Sequence, residues 1–471
     1  MLRIMQLVLN RKKAVIAVAA AGAALFIGFS LVSNPMFAAA LALLPIIVYM
    51  FSADRKTLLF FFILMSPYAY SPMFSQNIMD ITGAKPFNLI AALCFAGMFF
   101  HGASLLPQDK AERKVLFYFF LYFMIFTIAS FRTLEYLPLL HKLRPEEFHG
   151  SPLRHLLSTY IQPALYFIPF LFIIKHIKAI DDISRTVHVI CLSCFLLSVI
   201  VLSFSLPNIA LIIQSRSGAK AVFNAFLGMH YNAVGSLYLT TYPVLLHQAF
   251  NKKHPFDILN LFLAVFVVGI LQSRSALLVV LIATYLYLFL AGRKIHIIWL
   301  TSILGCVAVA WLPFFILRTL QTGFQEGDLN AIFTNRIDMI WKPLITEWIG
   351  NARLLLFGRG RYAMMTSAAY RAGDLVEATH AHNAYIDFFL NCGIILLVLF
   401  VGFIIRAMKS AWDMGRKIND GLYWALFLCI LSFLLGCFTQ RDFLPKHENL
   451  FLFPVTALLV NYTLWWKRVK Q

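Results

Sequence analysis

Apolar runs of about 17 to 24 residues recur along this chain with short polar breaks between them, and none shows the alternating polar pattern of a barrel strand. Runs of that length span a bilayer as helices, because a helix satisfies its own backbone hydrogen bonds where no water can. The pattern predicts an all-α chain with about fourteen spans (12–14), at roughly 14–33, 36–52, 57–74, 86–104, 115–131, 158–175, 186–206, 233–250, 257–272, 275–292, 296–317, 383–405, 421–437 and 450–466. Residues 1–471 read as one transmembrane domain, and the long polar stretch 318–382 is a loop within it. It runs back into apolar sequence at His380-Ala381-His382-Asn383-Ala384-Tyr385. Connections in polytopic proteins are mostly short, so a loop of this length ending in two histidines reads as a working part.

Composition supports the class. Hydrophobic residues make up 61% of the chain and charged residues 13%, and the mean hydropathy is +0.77, far from the balance of soluble domains. The first run follows Arg11, Lys12 and Lys13, and a second span follows it after only Ser33-Asn34-Pro35, so it reads as a retained helix rather than a cleaved signal. The seven cysteines lie in or beside apolar runs without metal-ligand spacing.

Charge adds an orientation. The net charge of +19 comes from basic residues dispersed between spans, which argues against a nucleic-acid partner and for membrane topology and lipid headgroups. With the N-terminus inside, inward segments carry 23 of the 40 Lys and Arg; outward segments carry 17, seven of them in the long loop. The positive-inside rule then puts both termini in the cytoplasm and the loop outside.

Three outward junctions carry polar residues where the chain re-enters the membrane: Gly228-Met229-His230-Tyr231-Asn232, Ser273-Arg274-Ser275 and His382-Asn383. Each begins a span, and a helix start offers unpaired N–H groups and the positive end of a dipole. Three such starts around one cavity would bind an anion, with Arg274 as a planar fork for phosphate oxygens and Arg216 as a second clamp. The plainer readings are snorkelling for Arg274, solvation for Arg216, and an interfacial cap for the His382-Asn383 pair. Gly358-Arg359-Gly360-Arg361 has the look of a phosphate-cradling turn but lacks the strand-to-helix context of a nucleotide site.

The stretches "LGMHYNAVGSLYLTTYPVLL", "LQSRSALLVVLI", "NRIDMIWKPL", "LLFGRGR" and "HAHNAYIDFFLNCGIILLVLF", in that order over about 210 to 407, resemble the O-antigen ligase and polymerase family. The resemblance implies a C-type glycosyltransferase-like fold and a metal-independent transferase without cofactor, acting outside the bacterial inner membrane on an undecaprenyl diphosphate-linked oligosaccharide. It implies that Arg216 and Arg274 hold the diphosphate and that His382 serves the acceptor hydroxyl, a role that needs the near-neutral pKa expected of an interfacial imidazole. Arg336, Arg361, His380, Asn232 and Asn383 are weaker substrate contacts. The acceptor is a sugar hydroxyl on a growing O-antigen or exopolysaccharide if the enzyme is a polymerase, or lipid A-core if it is a ligase. Fourteen spans, where ligases of the family have about twelve, tilt the reading toward a polymerase, with other envelope polysaccharide assembly proteins as partners. A transporter or flippase is the alternative of another class, against which stands the gathering of polar residues at the outer face. A scaffold subunit is a third.

Overall fold

The computed structural model describes residues 53–75, 85–297, 336–373 and 380–470, except positions 103, 105, 146, 149, 215, 272, 294–295, 440–441 and 447–448. The expected spans at 14–33 and 36–52 lie outside the described residues, as do all but the first two residues of the one at 296–317 and the loop stretches 318–335 and 374–379. Every regular element among the described residues is helical. The chain divides into two compact units, 1–106 and 107–471.

In the first unit, α1 (Arg55–Met65) starts at Asp54, whose carboxylate accepts the N–H groups of Lys56 and Thr57 at 2.8 and 3.0 Å. The apolar run continues past Met65, but Ser66-Pro67 turns the chain into a short 3-10 segment, so the expected span at 57–74 is broken. α2 (Pro86–Phe100) opens on a proline, the residue that sacrifices no intrahelical bond there. Phe62 meets Phe87 across the pair at 5.8 Å.

The second unit holds α3 (Lys110–Arg132), α4 (Ile168–His176), α5 (Ile180–Ser205), α6 (Arg216–Leu227), α7 (Tyr231–Leu239), α8 (Tyr242–Lys252), α9 (Pro255–Ile270), α10 (Arg274–Leu290), α11 (Lys342–Ile349), α12 (Ala352–Phe357), α13 (Ala384–Ile418), α14 (Gly421–Gly436) and α15 (Leu452–Lys470). Among the described residues, four runs are long and apolar enough to cross a membrane: Lys110–Leu143, Pro152–His176, Ile180–Ser205 and Ala384–Ile418. Shorter apolar helices occupy other expected spans, and the span at 233–250 is two helices, α7 and α8, parted at Thr240-Thr241 ahead of Pro243. Buried polar side chains tie helices together: Asn260 on α9 donates to the Cys191 carbonyl of α5 at 2.7 Å, and Asn461 on α15 donates to the Ile173 and Ile177 carbonyls at 2.6 and 2.8 Å. Such bonds hold where apolar packing alone gives helices little reason to associate. Phe117, Phe120 and Leu121 on α3, Phe262 and Phe266 on α9, and Val398, Leu399 and Phe403 on α13 are all exposed, surfaces that lipid rather than water covers. The protein is a membrane protein.

Within 318–382, the described residues form a folded helical unit. A π-helical turn (Ile337–Trp341) runs into α11, and α12 and two further short turns follow. Leu344, Trp348, Leu354, Met364, Met365 and Tyr370 bury themselves against Leu137, Leu140 and Phe148 of the segment after α3 and against Phe389 and Leu390 of α13. That burial, of the order of 1.5–3 kcal/mol per large apolar side chain, fixes the segment on the helices beneath it.

Candidate active site

Gly393 breaks α13, with φ 84° and ψ 172°, a conformation that only glycine adopts without strain. A Cβ there would sit 2.2 Å from the Leu356 carbonyl oxygen, so α12 passes directly against the break. The Leu390 carbonyl accepts from the Arg359 amide at 3.0 Å and from the Trp348 indole at 3.1 Å, and the Asn391 carbonyl accepts from the Gly360 amide at 2.9 Å. On the other side, the Arg361 amide donates to the Ala129 carbonyl of α3 at 3.1 Å, and Arg132 donates to the carbonyls of Phe357 and Gly358. Gly358-Arg359-Gly360-Arg361 is therefore a clamp between two helices. Its amides at 359–361 are spent on carbonyls, so it is no phosphate cradle. Arg359 lies over Trp348 and Tyr136 at 5.0 and 5.5 Å and pairs with Glu347 at 3.4 Å.

This clamp fixes the start of α13 and the turn before it. Asn383 caps α13, its side-chain oxygen accepting the amides of Tyr385 and Ile386 at 3.0 and 3.2 Å, while the Ala384 amide donates to the Cys437 carbonyl at 2.8 Å. Ala381 is held at both ends: its amide donates to Asp387 at 2.9 Å and its carbonyl accepts from the Trp341 indole at 2.7 Å. Between these anchors His382 takes a left-handed backbone, φ 55°. For a residue other than glycine this costs about 1–2 kcal/mol and persists only where its surroundings enforce it.

The His382 ring lies 4.2 Å from that of His380. Its Nδ1 is buried and meets no hydrogen-bond partner among the described residues. Burial, then the positive charge of Arg336 and His230, pulls its pKa down to about 4, in place of the near-neutral value expected from the sequence. Burial first, then the charges of His382, Lys446, Arg336 and His230, hold His380 well below the ordinary histidine range. Both imidazoles are thus neutral at physiological pH. Arg336 donates to the Thr439 carbonyl at 3.2 Å. A pocket of about 20 Å³, room for roughly one water, is lined by His380 with Arg361, Tyr362, Asp387, Asn391, Asp442 and Lys446 among others. Arg361 is almost wholly buried there, its guanidinium donating to the Thr159 carbonyl and lying 5.3 Å from the Phe126 ring.

The expected trio of open helix starts is not what folds. The starts of α7 and α13 are closed by their own caps: His230 Nδ1 accepts the Asn232 amide at 3.1 Å, and Asn383 does the same for α13. The reason is local, since a side-chain acceptor two or three residues upstream reaches those amides before any ligand can. The start of α10 has no side-chain cap from Ser273. Arg274 and Arg216 begin α10 and α6, and their side chains lie outside the described residues. Asn232 stands in the first turn of α7, its carbonyl accepting from Ser236 at 3.0 Å. Sequence reading brought His380, His382, Arg336 and Arg361 into the list of site residues but omitted His230 and Lys446. The first was visible as the residue just before a helix on the expected outer face; the second, in a short loop between two spans, carried no signal.

The comparison with curated proteins finds no match. A family model described as O-Antigen ligase matches residues 259–401. The matched stretch includes four of the five motif stretches and leaves out the fifth, Leu227–Leu246, together with Arg216. It holds α10, the folded part of 318–382, His380, His382 and the break in α13, and over that stretch, less than a third of its length, the chain resembles the O-antigen ligase family.

Proposed function

We propose that this protein is a glycosyltransferase that moves a saccharide from a polyprenyl diphosphate, undecaprenyl diphosphate in a bacterium, to a sugar hydroxyl at the outer face of the inner membrane. The observation that carries the reading is His382: a neutral imidazole, held in a costly backbone conformation, with a buried Nδ1 that meets no partner among the described residues. A buried polar atom without a partner calls for an explanation, and an acceptor hydroxyl donating to that nitrogen supplies one. The hydroxyl oxygen attacks the anomeric carbon, the bond from that carbon to the diphosphate oxygen breaks, and the hydroxyl proton passes toward His382 or the departing diphosphate. The diphosphate is already a good leaving group, so the work is alignment and charge stabilisation. Arg274, Arg216 and Arg336, with the uncapped start of α10, would hold the diphosphate.

We take the acceptor to be a growing polysaccharide, which makes the enzyme a polymerase. The matched family description favours a second reading, a ligase that hands a finished glycan to lipid A-core. Purified protein in lipid vesicles, given a lipid-linked repeat alone, should lengthen it. Transfer only when lipid A-core is added would make it a ligase, and no transfer with either acceptor would remove the transferase reading in favour of a transporter or scaffold.

A further inference from the structure

We infer that Trp341 is a positioning residue of the proposed transferase, its indole N–H holding the peptide plane that aims the His382 imidazole at the acceptor hydroxyl. The inference rests on the reading above and extends it to the π-helical turn Ile337–Trp341.

The carbonyl that the Trp341 indole donates to, at 2.7 Å, belongs to the peptide that joins Ala381 to His382. A peptide is planar, so fixing its carbonyl oxygen also fixes the His382 nitrogen and Cα. Beyond His382 the chain is fixed again: Asn383 closes the start of α13 through Tyr385 and Ile386, and its carbonyl accepts the Asp387 amide at 2.9 Å. His382 therefore stands between two held peptides, and the direction of its side chain follows from them. Its left-handed backbone, φ 55°, would relax toward an ordinary conformation if the first plane were released. The Asp387 carboxylate also holds the Ala381 amide, at 2.9 Å, but that amide belongs to the preceding peptide, with the rotatable bonds of Ala381 in between.

A widened helical turn brings the indole there. In an α-helix, side chains five residues apart point about 140° away from each other. Here the Lys342 amide donates to the Ile337 carbonyl, a bond that closes over five residues, so Arg336 and Trp341 come round to nearly the same side. Both act on the start of α13. Arg336 donates to the Thr439 carbonyl at 3.2 Å, close in the chain to the Cys437 carbonyl that takes the Ala384 amide, while Trp341 takes Ala381. One turn thus holds the peptide before His382 and the segment that seats the helix after it. The body of Trp341 packs on the apolar core that includes Leu344, Trp348, Ala381 and Leu390, which anchors the ring as well as its nitrogen.

The test asks whether Trp341 acts through His382. In the full chain, reconstituted in lipid vesicles, Trp341→Phe keeps an aromatic ring in the core and loses the N–H; benzothienylalanine placed at 341 keeps the whole bicyclic shape and carries sulfur where the N–H was. With saturating lipid-linked repeat, and lipid A-core where the wild type needs it, single-turnover transfer by either variant should be about 10-fold slower than wild type, the size one hydrogen bond can hold in place. The donor KM should not move. Combined with His382→Ala, either change should cost nothing further, because the residue it aims is gone. The benzothienylalanine variant should melt near the wild-type temperature, and Trp341→Ala, which empties a place in the core, should melt lower. If wild type transfers sugar but the two N–H-deleted variants match its rate, raise the donor KM instead, or slow transfer by the same factor with and without His382, Trp341 does not position His382 and the inference is overturned while the transferase reading stands. If wild type transfers no sugar, both fall together.

Discussion

A histidine whose pKa is pulled to about 4 is a weak base, and this shapes what His382 can do. In the free protein it stays neutral until the pH falls through about 4, so the acid limb of kcat/KM that it sets should lie there. An arriving diphosphate is negative, favours the protonated ring and raises the pKa, so the acid limb of kcat should lie at higher pH than that of kcat/KM. A pH–rate series with a lipid-linked donor checks this; coincident limbs would take His382 out of the reaction. His382→Ala should reach the membrane and lose transfer by about 10²-fold, the low end for a general base, because alignment carries much of the catalysis. His380→Ala should lose much less, and single-turnover rates with saturating donor compare the two. Arg274→Lys keeps the charge but loses the two-pronged fork, a loss on the order of 1.5–3 kcal/mol, or roughly 10- to 100-fold in donor affinity or rate. Full activity in both Arg274→Lys and Arg274→Ala would leave this arginine as a snorkelling side chain.

At the scale of elements, the break in α13 decides where everything else sits. Gly393 and Gly360 both have positive φ, and a Cβ at either would meet backbone, at 2.2 Å from Leu356 O and 2.8 Å from the Thr133 amide nitrogen. Backbone cannot move aside as a flexible side chain can. Gly393→Ala and Gly360→Ala should each cost at least about 1–3 kcal/mol, read as an earlier thermal transition in detergent. Gly402, further along α13, has nothing within 4 Å of an added Cβ, and Gly402→Ala should melt at or slightly above the wild-type temperature. Equal melting of all three variants would show that the clamp does not hold the site.

Across the whole molecule, segments expected on one side of the membrane meet one another. Residues of 132–157, 336–373 and 380–382 share one apolar core. On the side expected to face inward, Arg293 donates to Asn251 at 2.8 Å, and Asn251 and His247 lie against Gly421. A cysteine at exposed Arg371 should therefore react with a membrane-impermeant thiol reagent applied from outside, and one at exposed Lys253 should not. The described native cysteines are buried, so the background should be low. Reversed labelling would invert the proposed placement of the site.

The sequence by itself determined the membrane class, the helical content and the positions at which most described helices begin, because a bilayer leaves an apolar run of span length few alternatives. It also marked the His380–His382 segment, since a polar stretch that returns to apolar sequence is legible as a boundary. Tertiary structure decided the rest. The carbonyls that Gly358-Arg359-Gly360-Arg361 satisfies become available only when α13 breaks at Gly393, more than 30 residues along the chain from Gly358. His382 acquires its low pKa from burial and from Arg336 and His230, charges distant in sequence. The cap on α7 comes from His230, which the sequence pattern did not mark as one, whereas the Asn383 cap on α13 is the plainer reading its sequence already offered. Hydrophobic period is a local property and can be read residue by residue, whereas hydrogen-bond partners and electrostatic surroundings belong to the fold.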